Sequence, residues 1–295
     1  MLIFLTGATG FVGNEILKQL LDKGHQVRCL ARSGSEKKLP STETVEIFNG
    51  DVTDAKSLEG AVNGCDAVIH LVGILRAYPA KGITFEKLHY DATRNMVNEA
   101  RRSSVKRFLH MSALGARPDA RSEYHKTKYK AEVCVKESGL TYTIFKPSVI
   151  FGHKDKFVNL LAQMIRMAPV VPVIGDGRYK LQPVALENVA QGYINALENP
   201  AAFNKVYEVG GTEQLEYNRL LDIIAAQMKR KIIKFHQPLF LLKPAVTLLE
   251  GCSFFPLSND QLIMLQEDSI CDNRPFMQDL GIKPISFAEG IKVWL

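Results

Sequence analysis

Tyr124 and Lys128 lie four residues apart in the stretch SEYHKTKYKAE, residues 122–132. On a helix that spacing stacks both side chains on one face. A phenol titrates near 10 and is a poor acid–base group at neutral pH. An ammonium beside it, together with a positively charged oxidised nicotinamide, stabilises the phenolate and brings its titration down. The lysine can also hydrogen-bond a nicotinamide ribose, and Ser112, at the end of the apolar run VKRFLHMSA, could orient a carbonyl or alcohol. The three form a set for carbonyl and alcohol redox chemistry. A second pair, Tyr142 and Lys146, falls in the strand-like TYTIFKPSVIFG. At about 3.3 Å per residue a strand holds such a pair roughly 13 Å apart. Only Tyr124 and Lys128 can cooperate.

The same chain opens on a phosphate-binding pattern. TGATGFVG, Thr6 to Gly13, follows a first apolar run and begins a helix-like segment. Gly7, Gly10 and Gly13 permit a tight turn, close backbone approach to a diphosphate, and helix–strand packing. Thr9, Phe11 and Val12 complete the loop and the helix start, whose N–H groups and dipole favour an anion. At the end of the second strand, where an NAD-preferring site would carry Asp or Glu, stands Arg32, with Ser33, Lys37 and Lys38 close by. A guanidinium favours a 2′-phosphate, so NADP(H) is the expected cofactor and NAD(H) the alternative. If Arg32 is only a solvated strand-end residue, the site is indifferent to that phosphate. Asp51 and Val52 follow the third strand, with Asp51 placed to reach an adenine amino group. Leu71, Val72 and Gly73 follow the fourth and would line the adenosine ribose. His70 reads as a core histidine.

The elements that must position these residues alternate. LIFLTG, QVRCLAR, VEIFNGD, DAVIHLVG, VKRFLHMSA and TYTIFKPSVIFG read as strands. FVGNEILKQLLDKG, DAKSLEGAVNG, FEKLHYDATRNMVNEARRS and the stretch around Tyr124 read as helices between them. Such alternation means βαβ units and a doubly wound parallel α/β sheet covered on both faces. Residues 1–150 form this nucleotide-binding portion. Residues 151–295 form a smaller, helix-rich substrate portion, with about 183–210 returning to the sheet.

The composition is that of a globular protein, 46% hydrophobic and 23% charged over 295 residues, without low-complexity tracts or repeats. A net charge of +6, with basic residues scattered rather than interleaved with aromatics, argues against nucleic-acid binding. The five cysteines include no CxxC pair and the seven histidines no HExxH, so no metal site is expected. With no leader pattern at the amino terminus, a reducing, cytoplasmic compartment is expected. The segment PLFLLKPAVTLLEGCSFFPL is too interrupted by Lys243, Pro244 and Glu250 to span a bilayer. It could pack as core or lid, or lie peripherally on a membrane or near a quinone.

TGATGFVG, the late Ser112, the Tyr124–Lys128 pair and KPSVIFG together resemble the short-chain dehydrogenase/reductase superfamily in its extended or atypical form. HLVGIL, KRFLHMSALGA, FGHKDKFVNLLAQM, PVIGDGRYKLQPV and YEVGGTEQL are similar to the group related to the nucleotide-binding accessory subunit of respiratory complex I. The resemblance implies a Rossmann domain, a small carboxyl-terminal substrate domain and bound NADP(H). It also implies cofactor roles for Gly7, Gly10, Gly13, Arg32 and Asp51, catalytic roles for Ser112, Tyr124 and Lys128, and a nicotinamide-flanking role for Pro147 to Val149. Lys146 stands where an arginine usually precedes that proline. The short loop between Ser112 and Tyr124 is a departure from sugar-nucleotide epimerases. Two functions remain open: an NADP-dependent oxidoreductase, epimerase or dehydratase, and a non-catalytic nucleotide-binding or redox-sensing subunit of a respiratory-type complex.

Overall fold

The computed structural model describes residues 1–40, 43–250 and 257–295. The amino-terminal half runs β1 (Leu2–Thr6), α1 (Phe11–Asp22), β2 (Gln26–Ala31), β3 (Val45–Asn49), β4 (Ala67–His70), α2 (Ala92–Arg102), β5 (Arg107–Met111), α3 (Glu123–Lys136) and β6 (Thr141–Pro147). The segment DAKSLEGAVNG, expected to be helical, makes only one 3-10 turn at Ala55–Leu58. Gly60 and Gly64 both take left-handed backbone (φ 76° and 74°), which an α-helix cannot absorb. The helix expected over 85–103 is split, its first turn being a π-helix at Glu86–Asp91 ahead of α2.

The remainder runs β7 (Ile150–Phe151), α4 (Phe157–Met167), β8 (Val170–Ile174), β9 (Lys180–Leu181), β10 (Val184–Ala185), α5 (Leu186–Ala196) and β11 (Lys205–Val209). Then come β12 (Leu215–Glu216), α6 (Tyr217–Gln227), β13 (Ile233–Gln237), α7 (Leu239–Leu249), α8 (Asn259–Met264), α9 (Arg274–Asp279) and α10 (Phe287–Lys292).

Seven strands form one sheet in the order β11-β6-β5-β4-β1-β2-β3, every neighbouring pair parallel. Strand alternation divides the core. Ile3, Leu5, Cys29, Ile69 and Leu109 face α1 and α5, while Phe4, Val68, Phe108 and Ile144 face α2 and α3. A separate core gathers Val158, Leu161 and Ile165 of α4, Leu220 and Ile224 of α6, and Phe287 and Ile291 of α10. The chain returns to the sheet through α5, which packs on α1, and β11, which pairs with β6. The architecture is a Rossmann-like doubly wound sheet with a helical carboxyl-terminal region. Because the order turns back at β1, flanked by β4 and β2, a crevice opens at the carboxyl ends of these strands.

No helix among the described residues is long and apolar enough to cross a membrane. In α7, Val246 is buried, whereas Phe240, Leu241 and Leu248 are exposed. The rest of that apolar stretch, residues 251–256 with Cys252, lies outside the described residues.

Candidate active site

The glycine loop sits in the crevice between β1 and α1. Gly7 has φ +79°, a conformation that favours glycine. A Cβ on Gly13 would lie 2.1 Å from the Gly7 carbonyl oxygen, so the loop closes only without a side chain there. Gly10 precedes α1, whose first turn holds no acidic residue and receives no side-chain cap. Its leading N–H groups are left for an anion. Thr9 and Gly10 are exposed, while Phe11 and Val12 are half-buried, the Phe11 ring lying against Gly152.

The other cofactor candidates ring the same crevice. Arg32 is exposed just past β2. Asp51 is half-buried, and its Oδ1 accepts from the Thr53 N–H and hydroxyl, both at 2.8 Å. Val52 is buried and its carbonyl accepts from Asn95 Nδ2. Leu71 and Val72 pack on opposite cores at the end of β4. A Cβ on Gly73 would lie 2.9 Å from Lys128 Nζ. Gly73 thus borders the lysine. Pro147 ends β6 with its carbonyl accepting from Leu114 N–H, and Val149 packs toward the second core. A bare glycine cradle, an uncapped helix start and a lysine beside Gly73 fit a dinucleotide laid from α1 toward α3.

Helix α3 is capped by Ser122, whose hydroxyl accepts from His125 N–H at 3.2 Å. Its stripe at i, i+4 and i+8 is Tyr124, Lys128 and Glu132, all buried. Lys128 is 3% exposed and donates from Nζ to the Met111 carbonyl at 2.9 Å. Burial presses its ammonium down to about 8, against the opposing pull of Glu132. Tyr124 is 8% exposed, with its ring edge-on to Phe85 and His89 at 5.8 and 5.2 Å between centroids. Burial pushes its phenol above the usual value.

The Ser112 hydroxyl is engaged with Glu132. The residue is 2% exposed, and Glu132 also receives Lys146 Nζ at 3.2 Å. The neighbour packed with Tyr124 is Ala113. The structure places Tyr124 and Lys128 on one face of α3 and joins Ser112 through Glu132 to Lys146, one helical turn further along that helix. Tyr142 and Lys146 both lie in β6, an extended strand.

Beneath Lys128 is a layer of buried histidines. His70 Nδ1 shares a 2.8 Å hydrogen bond with Thr6 Oγ1, and its ring stacks on that of His110, 5.7 Å between centroids. His89 bonds Thr127 Oγ1 through Nδ1 at 2.9 Å and the Ile74 backbone through Nε2 at 3.1 Å. Burial first, then the Lys128 charge, lowers all three, His70 to about 3 and His89 to about 2. They are neutral at physiological pH. Among the described residues no cluster of three His, Cys, Asp or Glu could hold a metal ion.

Sequence reasoning passed over Glu132, His89, Ala113, Asp260 and Met264. Glu132 carried a signal, since it extends the four-residue stripe of Tyr124 and Lys128. Asp260 carried none. It comes from α8 and accepts from the N–H groups of Glu123 and Tyr124 at 3.0 and 2.8 Å, 136 or more residues away in sequence.

Comparison with known proteins identifies the family. A family model described as NAD(P)H-binding matches residues 7–200. Over 223 residues the chain is 29% identical to the mitochondrial NADH dehydrogenase (ubiquinone) 1 alpha subcomplex subunit 9 of Dictyostelium discoideum, covering 74% of this chain and 61% of that protein's length. The subunit of the same name from Mus musculus is 28% identical over 286 residues, covering 94% of this chain and 75% of the relative. Among solved structures, the UDP-glucose 4-epimerase of Thermotoga maritima with UDP-glucose superimposes with a TM-score of 0.78 at 21% identity, covering 99% of this chain and 97% of the epimerase.

Proposed function

The chain belongs to the NAD(P)H-binding family, with a short-chain-dehydrogenase-like fold, and we propose that it binds NADP(H) and serves as an oxidoreductase in which Tyr124 carries the proton. The observation that supports this most is the position of Lys128. It is buried on the Tyr124 face of α3, with Nζ beside Gly73 and bonded to Met111. Burial opposes its charge, and among the described residues only Glu132 and the Met111 carbonyl offset that cost.

In this reading Gly7, Gly10, Gly13 and the start of α1 hold the diphosphate, Asp51 faces the adenine, and Leu71 to Gly73 line the ribose. Arg32 selects the 2′-phosphate through charge and paired hydrogen bonds. The nicotinamide, when bound, supplies or accepts the hydride. Lys128 holds the nicotinamide ribose and lends its positive charge to Tyr124, lowering the phenol toward the working range. Tyr124 then gives its proton to a substrate oxygen, or takes one from it. Ser112, through Glu132 and Lys146, fixes α3 against the end of β5, so it positions the pair from behind. NADPH and NADH titrations followed by nicotinamide fluorescence, with a carbonyl substrate screen on Tyr124→Phe as the blank, test this reading. Lack of nucleotide binding would contradict it.

A second reading has its own observation. The likeness to complex I subunits extends over 94% of the chain, and the residue just past β5 that packs with Tyr124 is Ala113, which carries no hydroxyl. A nucleotide-binding accessory subunit would need Lys128 and the glycine cradle but no turnover. The exposed Phe240, Leu241 and Leu248 of α7 would offer such an assembly, or a membrane surface, an apolar face.

A further inference from the structure

Away from the crevice, two exposed apolar faces lie on a stretch of chain that carries only positive charge. Strands β8 and β13 pair in parallel as a two-stranded ribbon, with Val170 opposite Ile233 and Pro172 opposite Phe235. Alternation sends Val171 and Val173 into the core shared with α4 and α6. It leaves Val170, Ile233 and Phe235 outward, 47, 66 and 58% exposed. Met167, just ahead of β8, is exposed as well. Past Pro238 the chain forms α7, which starts against the ribbon, since a Cβ on Gly175 at the end of β8 would lie 3.9 Å from Leu239. On α7, Phe240, Pro244 and Leu248 fall at i, i+4 and i+8 and all are exposed. Apolar patches of this kind mark interaction surfaces.

Charge identifies the partner. Residues 229–249 hold Lys229, Arg230, Lys231, Lys234 and Lys243 and no Asp or Glu. Lys234, on the inner side of the ribbon, is bonded to Asp222. The other four are exposed and enter no ion pair among the described residues. A second copy of this chain would set like charges against each other. An acidic protein would match the cations, but an apolar helical stripe beside a lysine-rich strand is the pattern of a helix lying in a bilayer surface. Lysine stems lie along apolar surface while their ammonium groups reach phosphate. With 11 residues, α7 is about half as long as a span requires, so it fits the plane of the interface and not the bilayer's depth.

We propose that the outer face of the β8–β13 ribbon and the exposed stripe of α7 dock on an anionic phospholipid bilayer, with Lys229, Arg230 and Lys231 at the headgroups and Ile233, Phe235 and Phe240 in the acyl boundary. The surface shares no residue with the Tyr124 site, and its test does not depend on turnover.

The test is flotation of the full chain with vesicles of phosphatidylcholine alone, or of phosphatidylcholine with about 30 mol% phosphatidylglycerol. Binding to the anionic vesicles is expected, at least tenfold stronger than to phosphatidylcholine, and weakened at least tenfold between about 0.1 M and about 0.5 M salt. The triple variant Lys229→Glu, Arg230→Glu, Lys231→Glu weakens it at least tenfold, and so, separately, does Ile233→Ser with Phe235→Ser. The same charge change elsewhere on the exposed surface, Lys18→Glu with Lys23→Glu and Lys106→Glu, leaves binding within twofold. Circular dichroism shows which variants are folded, and Phe240→Ser on α7 replaces any that is not. Absence of vesicle binding, equal binding to the two vesicles, or an equal loss in the control variant overturns the proposal. A dimer in sedimentation that Phe235→Ser dissolves would give the face to a second copy and overturn it too.

Discussion

The two ends of the crevice are built from different material. At the phosphate end, the contacts come from backbone: a glycine turn, the start of α1, and space that a single Cβ would fill. At the tyrosine end, they come from buried side chains on α3, β4, β5 and α8, several of them titratable and held away from their preferred charge. The first end costs little to keep ready and imposes shape. The second stores an electrostatic cost that a bound nucleotide and ligand would relieve. Perturbed groups gathered in one place are a mark of function.

The sharpest way to break this contrast is acid. His70 and His89 are neutral when folded, with values pressed from 6.5 to about 3 and about 2. As pH falls below 6.5 the unfolded chain takes up protons that the folded chain refuses, so stability falls between pH 6.5 and 3. The loss should be on the order of 4 kcal/mol for His70 alone. Urea unfolding of the wild type and His70→Asn, followed across that range, checks it. A parallel decline in both would remove His70 from the account.

The phosphate end should fail by shape alone. Gly13→Ala sets a methyl group against the Gly7 carbonyl, and NADPH affinity should drop at least a hundredfold, about 3 kcal/mol. Retained affinity in a fluorescence titration would mean that the loop is not the cradle.

Lys128 separates stability from binding. Folded, it loses its proton near 8, while the unfolded chain keeps its proton to 10.5. The cost of burying the charge is therefore present in full below pH 8 and fades as pH rises toward 10.5. Lys128→Met should stabilise the nucleotide-free protein at pH 7 by about 2 kcal/mol, after allowing for the lost hydrogen bond to Met111, and should weaken NADPH. A variant less stable than the wild type at pH 7 would show that the buried charge is already well compensated. The smallest effect is expected at Arg32→Asp, which should shift preference from NADPH toward NADH by about 1–3 kcal/mol. No shift would make the 2′-phosphate irrelevant.

How much of this was legible in the sequence follows the same division. The glycine turn could be read because it depends on local rules: three glycines between an apolar strand and an amphipathic helix. The six strands announced themselves by composition, and the Tyr124–Lys128 face by helical period. Ser112 could be placed at the end of β5, but not aimed. Along β5, Phe108, His110 and Ser112 alternate toward α3, which brings Ser112 to Glu132, while Ala113, past the strand's end, reaches Tyr124. That turn of one residue is set by packing, not by pattern. The Asp260 contact joins segments more than a hundred residues apart, and nothing local encodes it. The expected helix after Asp54 failed because turn glycines outweighed a helical composition.

The central claim is that Lys128 and a bound oxidised nucleotide poise Tyr124 for proton transfer. The most direct measurement is the phenolate absorbance of the wild type minus that of Tyr124→Phe, titrated with and without NADP+. Without nucleotide the difference should titrate above 10, because burial opposes the phenolate. With NADP+ it should move below 10. A difference that stays above 10 in both titrations would contradict the claim and leave Tyr124 as a packing residue in a nucleotide-binding protein.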